Sequence, residues 1–186
     1  PLVLIIQVIQ PFIKIRFGYF STRHISHFAL DLGYAISENQ NNNSEINLYY
    51  LQDDICNTQL EVIAKRELNV SQYYRFFVYA YNLIGLGNKV IKPHRHKNGS
   101  RDKTGIMLNS HYDISLLPEE NKESELYMKK YGWTQGEKFI CINVRDSAFF
   151  NESQVSRHTY RNSNIEDFEV VVNYLLNLGY WVVRIG

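Results

Sequence analysis

The run Phe139-Ile-Cys-Ile-Asn-Val-Arg-Asp146 constrains the fold more than any other stretch of this chain. It is short, apolar and partly β-branched, and it stops abruptly at an Arg-Asp pair. A polar loop with a second arginine follows, Tyr160-Arg-Asn-Ser163. Then come an amphipathic segment from Ile165, a glycine at 179, and a second apolar run, Tyr180-Trp-Val-Val-Arg-Ile-Gly186. Apolar runs of strand length separated by one helical period read as strand, loop, helix, strand, a single βαβ unit. In open parallel sheets ligands bind outside the carboxyl ends of the strands, where Arg145 and Asp146 fall. A two-stranded parallel sheet cannot cover both its faces alone. With Pro1 as first residue, the expectation is a fragment cut inside its second domain. The alternative is a complete small α/β domain whose last strand is C-terminal.

The upstream half repeats the alternation. Lys14 to Tyr19 reads as a strand, with Ser21-Thr22 as candidate N-cap. Phe28, Leu32, Ala35 and Ile36 then share one helical face. That helix is expected to end before the polar run Asn39-Gln-Asn-Asn-Asn43. Ile46 to Leu51 reads as a strand, and Gln59 to Leu68 as a helix. Tyr73 to Leu86 reads as an aromatic-rich helix, stopped near Gly85-Leu-Gly87. Lys89 to Thr104 is basic and polar and reads as an exposed loop. Pro118 to Tyr131 has Pro at a helix start, acids in the first turn and lysines in the last, as the helix dipole favours. A β-α-β-α order implies α/β class with a doubly wound parallel sheet. The expected organisation is a first domain over 1–104, a connecting segment with a helix over 105–136, and the start of a second domain over 137–186.

Composition narrows the partners. A net charge of +1 makes no electrostatic case for nucleic acid. Two cysteines, Cys56 and Cys141, lie far apart without metal-ligand spacing and read as ordinary thiols of a reducing compartment. The apolar stretch Pro1 to Ile13 falls short of the about 20 residues a bilayer span takes. It reads as a buried helix or strand, or as the tail of a membrane-associated helix.

Three clusters carry candidate chemistry. Arg23-His24-Ile25-Ser26-His27 lies in the turn after the first strand and opens the first helix, where outward amides favour an anion. His24 and His27 there can act as general base or as donors to phosphate, or more simply as caps. Asn143, Arg145 and Asp146 end the strand at 139–144; Arg145 suits bidentate phosphate binding, and a surface ion pair is the plainer alternative. His158, Tyr160, Arg161, Asn162 and Ser163 form the third, with Ser163 placed to cap the helix that starts at Asn164. Asp53-Asp54 is adjacent rather than spaced as a metal pair would be. No glycine-rich nucleotide loop, nucleophile elbow or zinc spacing is present.

The motifs Cys141-Ile-Asn-Val-Arg-Asp-Ser147, Tyr160-Arg-Asn-Ser163 with Ile165, and Leu178-Gly-Tyr-Trp-Val-Val-Arg-Ile-Gly186 resemble those of a family of bacterial glycosyltransferases associated with surface polysaccharide genes. Phe17-Gly-Tyr-Phe-Ser-Thr-Arg-His-Ile-Ser-His-Phe-Ala29 is similar to a further region of that family. Asn143 stands where the family commonly has His, Asn164 where it has Asp, and His24 and Ser26 replace an Arg and a Gly. The resemblance implies two Rossmann-like domains of the GT-B type, here the first and the opening of the second. It implies metal-independent transfer from a nucleotide-sugar donor to a polysaccharide or lipid-linked acceptor, with no cofactor. His27 and His24 would be the catalytic groups on the acceptor side. Arg145, Asp146, Arg161, Asn162 and Ser163 would bind the donor diphosphate. A cytoplasmic site at the inner face of the membrane, with peripheral membrane association, would suit such substrates. As a fragment the chain would be inactive. A sugar-nucleotide epimerase on the same fold and a degenerate, non-catalytic sugar- or nucleotide-binding domain are the other classes compatible with the sequence.

Overall fold

The structure is a computed structural model that describes residues 2–42, 44–92, 102, 105–110, 114–145, 160 and 162–185. The chain divides into two compact units, Pro1–Ser115 and Leu116–Gly186. The boundary falls inside the expected connecting segment, and the helix at 118 groups with the second unit. Both units are α/β, and each contains its own small parallel sheet.

The first unit runs α1 (Leu2–Ile9), β1 (Lys14–Phe20), α2 (Ile25–Asn41), β2 (Glu45–Leu51), α3 (Thr58–Glu67), β3 (Asn69–Val70), α4 (Tyr74–Leu83) and α5 (Gly87–Val90). The strands form a sheet in the order β1-β2-β3. β1 and β2 pair in parallel from Lys14↔Glu45 through Phe20↔Leu51, and β3 joins through Leu48↔Asn69 and Tyr49↔Val70. Ile91 adds a parallel bridge to Phe17 on the other side of β1, held by the Lys92 amide donating to the Phe17 carbonyl at 2.7 Å. In space the order is therefore β3-β2-β1-Ile91.

Strand periodicity sorts the core into two. Phe20, Tyr49 and Leu51 pack with Phe28, Leu32, Ala35 and Ile36 of α2 and Ile63 and Ala64 of α3. Phe17 and Tyr50 point the other way, to Val78 and Tyr81 of α4 and Val90 of α5, with Val3 and Ile6 of α1 against them. Helices thus cover both faces of the sheet. Gly18 allows the closest approach: a Cβ there would sit 2.7 Å from the Tyr49 ring on the paired strand.

Several sequence expectations shift, each for a local reason. Ser21 and Thr22 do not cap α2, which starts at Ile25 with His24 as N-cap. Their hydroxyls are used on Asp53 instead. α2 runs through the asparagine tract to Asn41 because those side chains find partners. The Asn41 amide donates to the Ser37 carbonyl at 2.8 Å, and Asn39 accepts from Asn47 of β2 at 2.6 Å. The aromatic helix ends earlier than expected, at Leu83, ahead of Gly85 at φ 71°. The expected exposed loop from Lys89 is overturned at its start. Val90 is buried, Ile91 joins the sheet, and the Lys92 ammonium pairs with Glu38 at 2.6 Å. The stretch His94 to Arg101 lies outside the described residues.

The second unit contains α6 (Pro118–Lys129), β4 (Phe139–Asn143), a 3-10 turn (Ile165–Phe168), α7 (Glu169–Asn177) and β5 (Trp181–Ile185). β4 and β5 pair in parallel from Phe139↔Trp181 to Asn143↔Ile185, as the βαβ pattern implies. Glu120 in the first turn of α6 accepts from the Leu117 amide at 2.7 Å, which secures the start that Pro118 begins. Among the described residues no helix is long and apolar enough to cross a membrane.

Candidate functional site

β1 and β2 end together at the Phe20↔Leu51 pair, and the loops beyond them are tied to one another. The Gln52 amide donates to the Phe20 carbonyl at 3.0 Å, and the Cys56 amide to the Thr22 carbonyl at 3.0 Å. The buried Thr22 hydroxyl donates to the Asp53 carbonyl at 2.7 Å, and the Ser21 hydroxyl to the Asp53 carboxylate at 2.9 Å. After β3, the Gln72 side chain donates to the Leu51 carbonyl at 3.0 Å. Each strand end thus sends polar side chains into one fixed rim. Fixing them by backbone-directed bonds pre-organises the rim, which lowers the ordering cost of binding.

The rim surrounds an open cleft of about 440 Å³ lined by Arg23, Leu51, Gln52, Asp53, Asp54, Gln72 and Arg75. Its wall includes two carboxylates, two guanidiniums and two carboxamides, which offers both donors and acceptors. Beneath it, the Tyr19 and Tyr50 rings lie 5.6 Å apart on the α4 face of the sheet. Burial pushes the Tyr19 phenol above its ordinary range, and the Asp53 carboxylate adds to the shift. Burial also raises Tyr50, helped by Tyr19 and Asp53 and opposed by the Arg75 guanidinium. Asp53 and Arg75 therefore both act on the same phenol. The Cys56 thiol nearby is likewise pushed up by burial, which disfavours the reactive thiolate.

The two histidines stand beside this cleft in sequence, directly after Arg23. Both are half-buried, and their rings meet edge to face at 5.6 Å between centroids. His24 occupies the N-cap of α2 through its backbone, whose carbonyl accepts from the Phe28 amide at 3.0 Å, and makes no side-chain cap bond. An imidazole pair at a strand end, one turn into a helix, can take a proton from a hydroxyl held at the sheet edge.

In the second unit, Arg145 follows β4 and is half-buried. Its carbonyl accepts from the Ser163 amide at 2.9 Å, so the strand end and the loop entering the helix are brought together. Ser163 is not the cap that the sequence suggests. Asn164 is the N-cap of the 3-10 turn and Phe168 that of α7, and neither makes a side-chain cap bond. Ser163 stands one position before that first cap, with its backbone amide tied to the Arg145 carbonyl. Asn162 is exposed, while Asp146 and Arg161 lie outside the described residues, so their convergence with Arg145 does too. A hollow of about 380 Å³ lies against β4 and β5, lined by Ile142, Ile165, Val172 and Val182 with Glu166, Glu169 and Arg184. Its apolar wall and two carboxylates do not suit a diphosphate.

The sequence singled out His24 and His27, neither of which lines the cleft, and set Asp53-Asp54 aside for want of metal spacing. Gln52, Gln72 and Arg75 went unnoticed. The signal that would have found them is positional: each lies within a few residues of the carboxyl end of a parallel strand. Among the described residues, no group of three His, Cys, Asp or Glu comes together as metal ligands would. Compared with known proteins, the chain matches no family model, and no curated protein and no solved structure is significantly similar to it.

Proposed function

We propose that the chain belongs to a glycosyltransferase that moves a sugar from a nucleotide-sugar donor to a polysaccharide or lipid-linked acceptor. The observation that carries the reading is the cleft at the carboxyl edge of the first sheet, with its carboxylates, guanidiniums and carboxamides. A polyhydroxylated acceptor presents donors and acceptors at comparable density, and such a wall satisfies them in pairs. The strand order β3-β2-β1-Ile91 supports a Rossmann-like first domain, because it matches the inner part of the doubly wound order, in which the chain reverses direction at the first strand. On this reading the two units correspond to the two domains of a GT-B enzyme.

His27, with His24 against it, deprotonates or orients the acceptor hydroxyl. Arg145, with Arg161, stabilises the departing diphosphate, and Asp146, Asn162 and Ser163 shape the loop around it. The motifs at 141–147, 160–163 and 178–186 support this assignment by their resemblance to transferases of surface polysaccharide synthesis. A nucleotide-sugar donor implies a cytoplasmic site.

The test is calorimetric titration of the whole protein, wild type and Arg145→Ala, with nucleoside diphosphates. Removing a charged donor from a diphosphate site costs about 1.5–3 kcal/mol, so affinity for the preferred nucleotide should fall accordingly. Equal affinities for the two proteins, or no binding of any nucleoside diphosphate, would remove the donor assignment.

A further inference from the structure

The arginines of the first unit are of two kinds. Arg16 pairs with Glu45 at 3.6 Å and donates to the Lys89 carbonyl. Arg66 pairs with Glu67 at 2.9 Å and donates to the Ser115 carbonyl at 3.0 Å. Arg23 and Arg75 differ: among the described residues neither guanidinium forms an ion pair or a hydrogen bond, and both line the open cleft of about 440 Å³. Carboxylates are at hand, because Asp53 and Asp54 line the same cleft. The Ser21 hydroxyl donates to the Asp53 carboxylate at 2.9 Å, and the Thr22 hydroxyl to its carbonyl at 2.7 Å, so the acidic loop is fixed where it stands. Asp53 and Arg75 both act on the Tyr50 phenol, which puts opposite charges around one strand end without pairing them. A single unpaired arginine on a surface is ordinary. Two that face one pre-built cleft, beside two carboxylates they do not pair with, mark a site that keeps its charges for a ligand.

The placing of these groups follows the sheet. Arg23 comes just after β1, Asp53 and Asp54 just after β2, and Gln72 and Arg75 just after β3, and the strands lie in the order β1-β2-β3. The chain therefore delivers cations to the cleft from its two flanks and carboxylates from between them. We infer that the cleft binds an acidic glycan, a sugar chain bearing carboxylates, with its carboxylates on the Arg23 and Arg75 guanidiniums and its ring hydroxyls on Asp53, Asp54 and Gln72. A guanidinium fork matches a planar carboxylate bidentately, and an ionised aspartate accepts from hydroxyls. Charge separates a carboxylate from a phosphate here. The arginines and aspartates of the wall balance, so a group with one negative charge is held with little excess, whereas a phosphate monoester of about −1.5 to −2 would meet two carboxylates beside it. This deepens the acceptor-side reading of the cleft and rests on it.

Calorimetric titration of the whole protein with oligosaccharides of glucuronate, galacturonate and mannuronate, each beside its carboxyl-reduced neutral form, tests it. At least one acidic oligosaccharide should bind about tenfold or more tightly than its reduced form. Arg23→Gln and Arg75→Gln should each remove most of that preference and leave affinity for the reduced form unchanged, which a merely structural arginine would not do. Equal affinity for acidic and reduced forms, a preference that neither substitution alters, or no binding of any member overturns the proposal. So does tighter binding of glucose 1-phosphate than of glucuronate, which would assign the arginines to a phosphate. The nucleoside diphosphate titration with Arg145→Ala reports on transfer separately. Nucleotide binding without preference for acid removes the acidic ligand and leaves transfer standing; preference for acid without nucleotide binding supports the acidic ligand and removes transfer.

Discussion

Replacing Gly18 by alanine probes how tightly the strand end beneath the cleft is built. The added Cβ would lie 2.7 Å from both Cδ1 and Cε1 of Tyr49. Carbon atoms in contact prefer about 3.5–4.0 Å, so roughly 1 Å of separation must be found. Neither partner yields easily. Tyr49 is buried, pairs directly with Gly18 in the β1–β2 register, and stacks on Phe20 at 4.9 Å between ring centroids. β1 is held from the other side by the Lys92 amide on the Phe17 carbonyl. Overpacking of this kind costs about 1–3 kcal/mol. Alanine returns about 0.4–1 kcal/mol by restricting the unfolded chain. The net loss should be about 1–2 kcal/mol, read as a lower urea midpoint at unchanged slope. A Tyr49→Leu background should relieve most of the penalty, because the clashing ring atoms are gone. If Gly18→Ala is as stable as the wild type, or if the penalty survives in the Tyr49→Leu background, the ring contact is not what selects glycine here.

Other outcomes follow from the same region. Tyr19 and Tyr50 have folded pKa values raised above the unfolded value of about 10, so the unfolded chain loses these protons first as pH rises. Stability is therefore unaffected below about pH 10 and falls as pH rises through the folded values; Tyr19→Phe and Tyr50→Phe should each blunt that fall in urea midpoints taken across the alkaline range. Asn57 caps α3 by accepting from the Leu60 amide at 2.9 Å, and Asn57→Ala should cost about 1 kcal/mol in thermal or urea unfolding, whereas a change within error would show that the cap is idle. On the proposed function, His27→Ala in the whole protein should lower sugar-transfer turnover by about 10²-fold with an unchanged circular dichroism spectrum; unaltered turnover would remove the imidazole from the proposed mechanism.

The β-α-β-α alternation was readable because buried parallel strands need short apolar runs, and 46–51 and 139–144 supplied them in plain form. The βαβ unit at the end emerged as read, down to parallel pairing of β4 with β5. Less readable was where side chains spend their hydrogen bonds. Ser21 and Thr22 look like a helix cap, yet the next loop offered Asp53 as a partner, and that partner lies far along the chain. The asparagine tract looks like a loop because isolated asparagines favour turns, yet Asn39 and Asn41 found partners on β2 and within α2. The cleft was missed for a related reason. Gln52, Gln72 and Arg75 are unremarkable singly, and only the parallel register brings three separate strand ends to one rim.

The bridge between Phe17 and Ile91 has a kinetic consequence. β1, α2, β2, α3 and β3 can assemble from neighbours along the chain, each pairing closing a modest loop. The Ile91 contact requires the segment after β3 to pass back across the sheet and add to the opposite side of β1. Its loop is the longest the sheet has to close, and closure entropy is lost before the contact repays it. Folding of this unit should thus be sequential, with the α2–α3 side of the core consolidating first and the α4–α5 side, including Val90 and Tyr81, locking the sheet afterwards. Until that second step, Phe17 is unburied on its α4 face, and β1 offers an open edge to any other strand in reach.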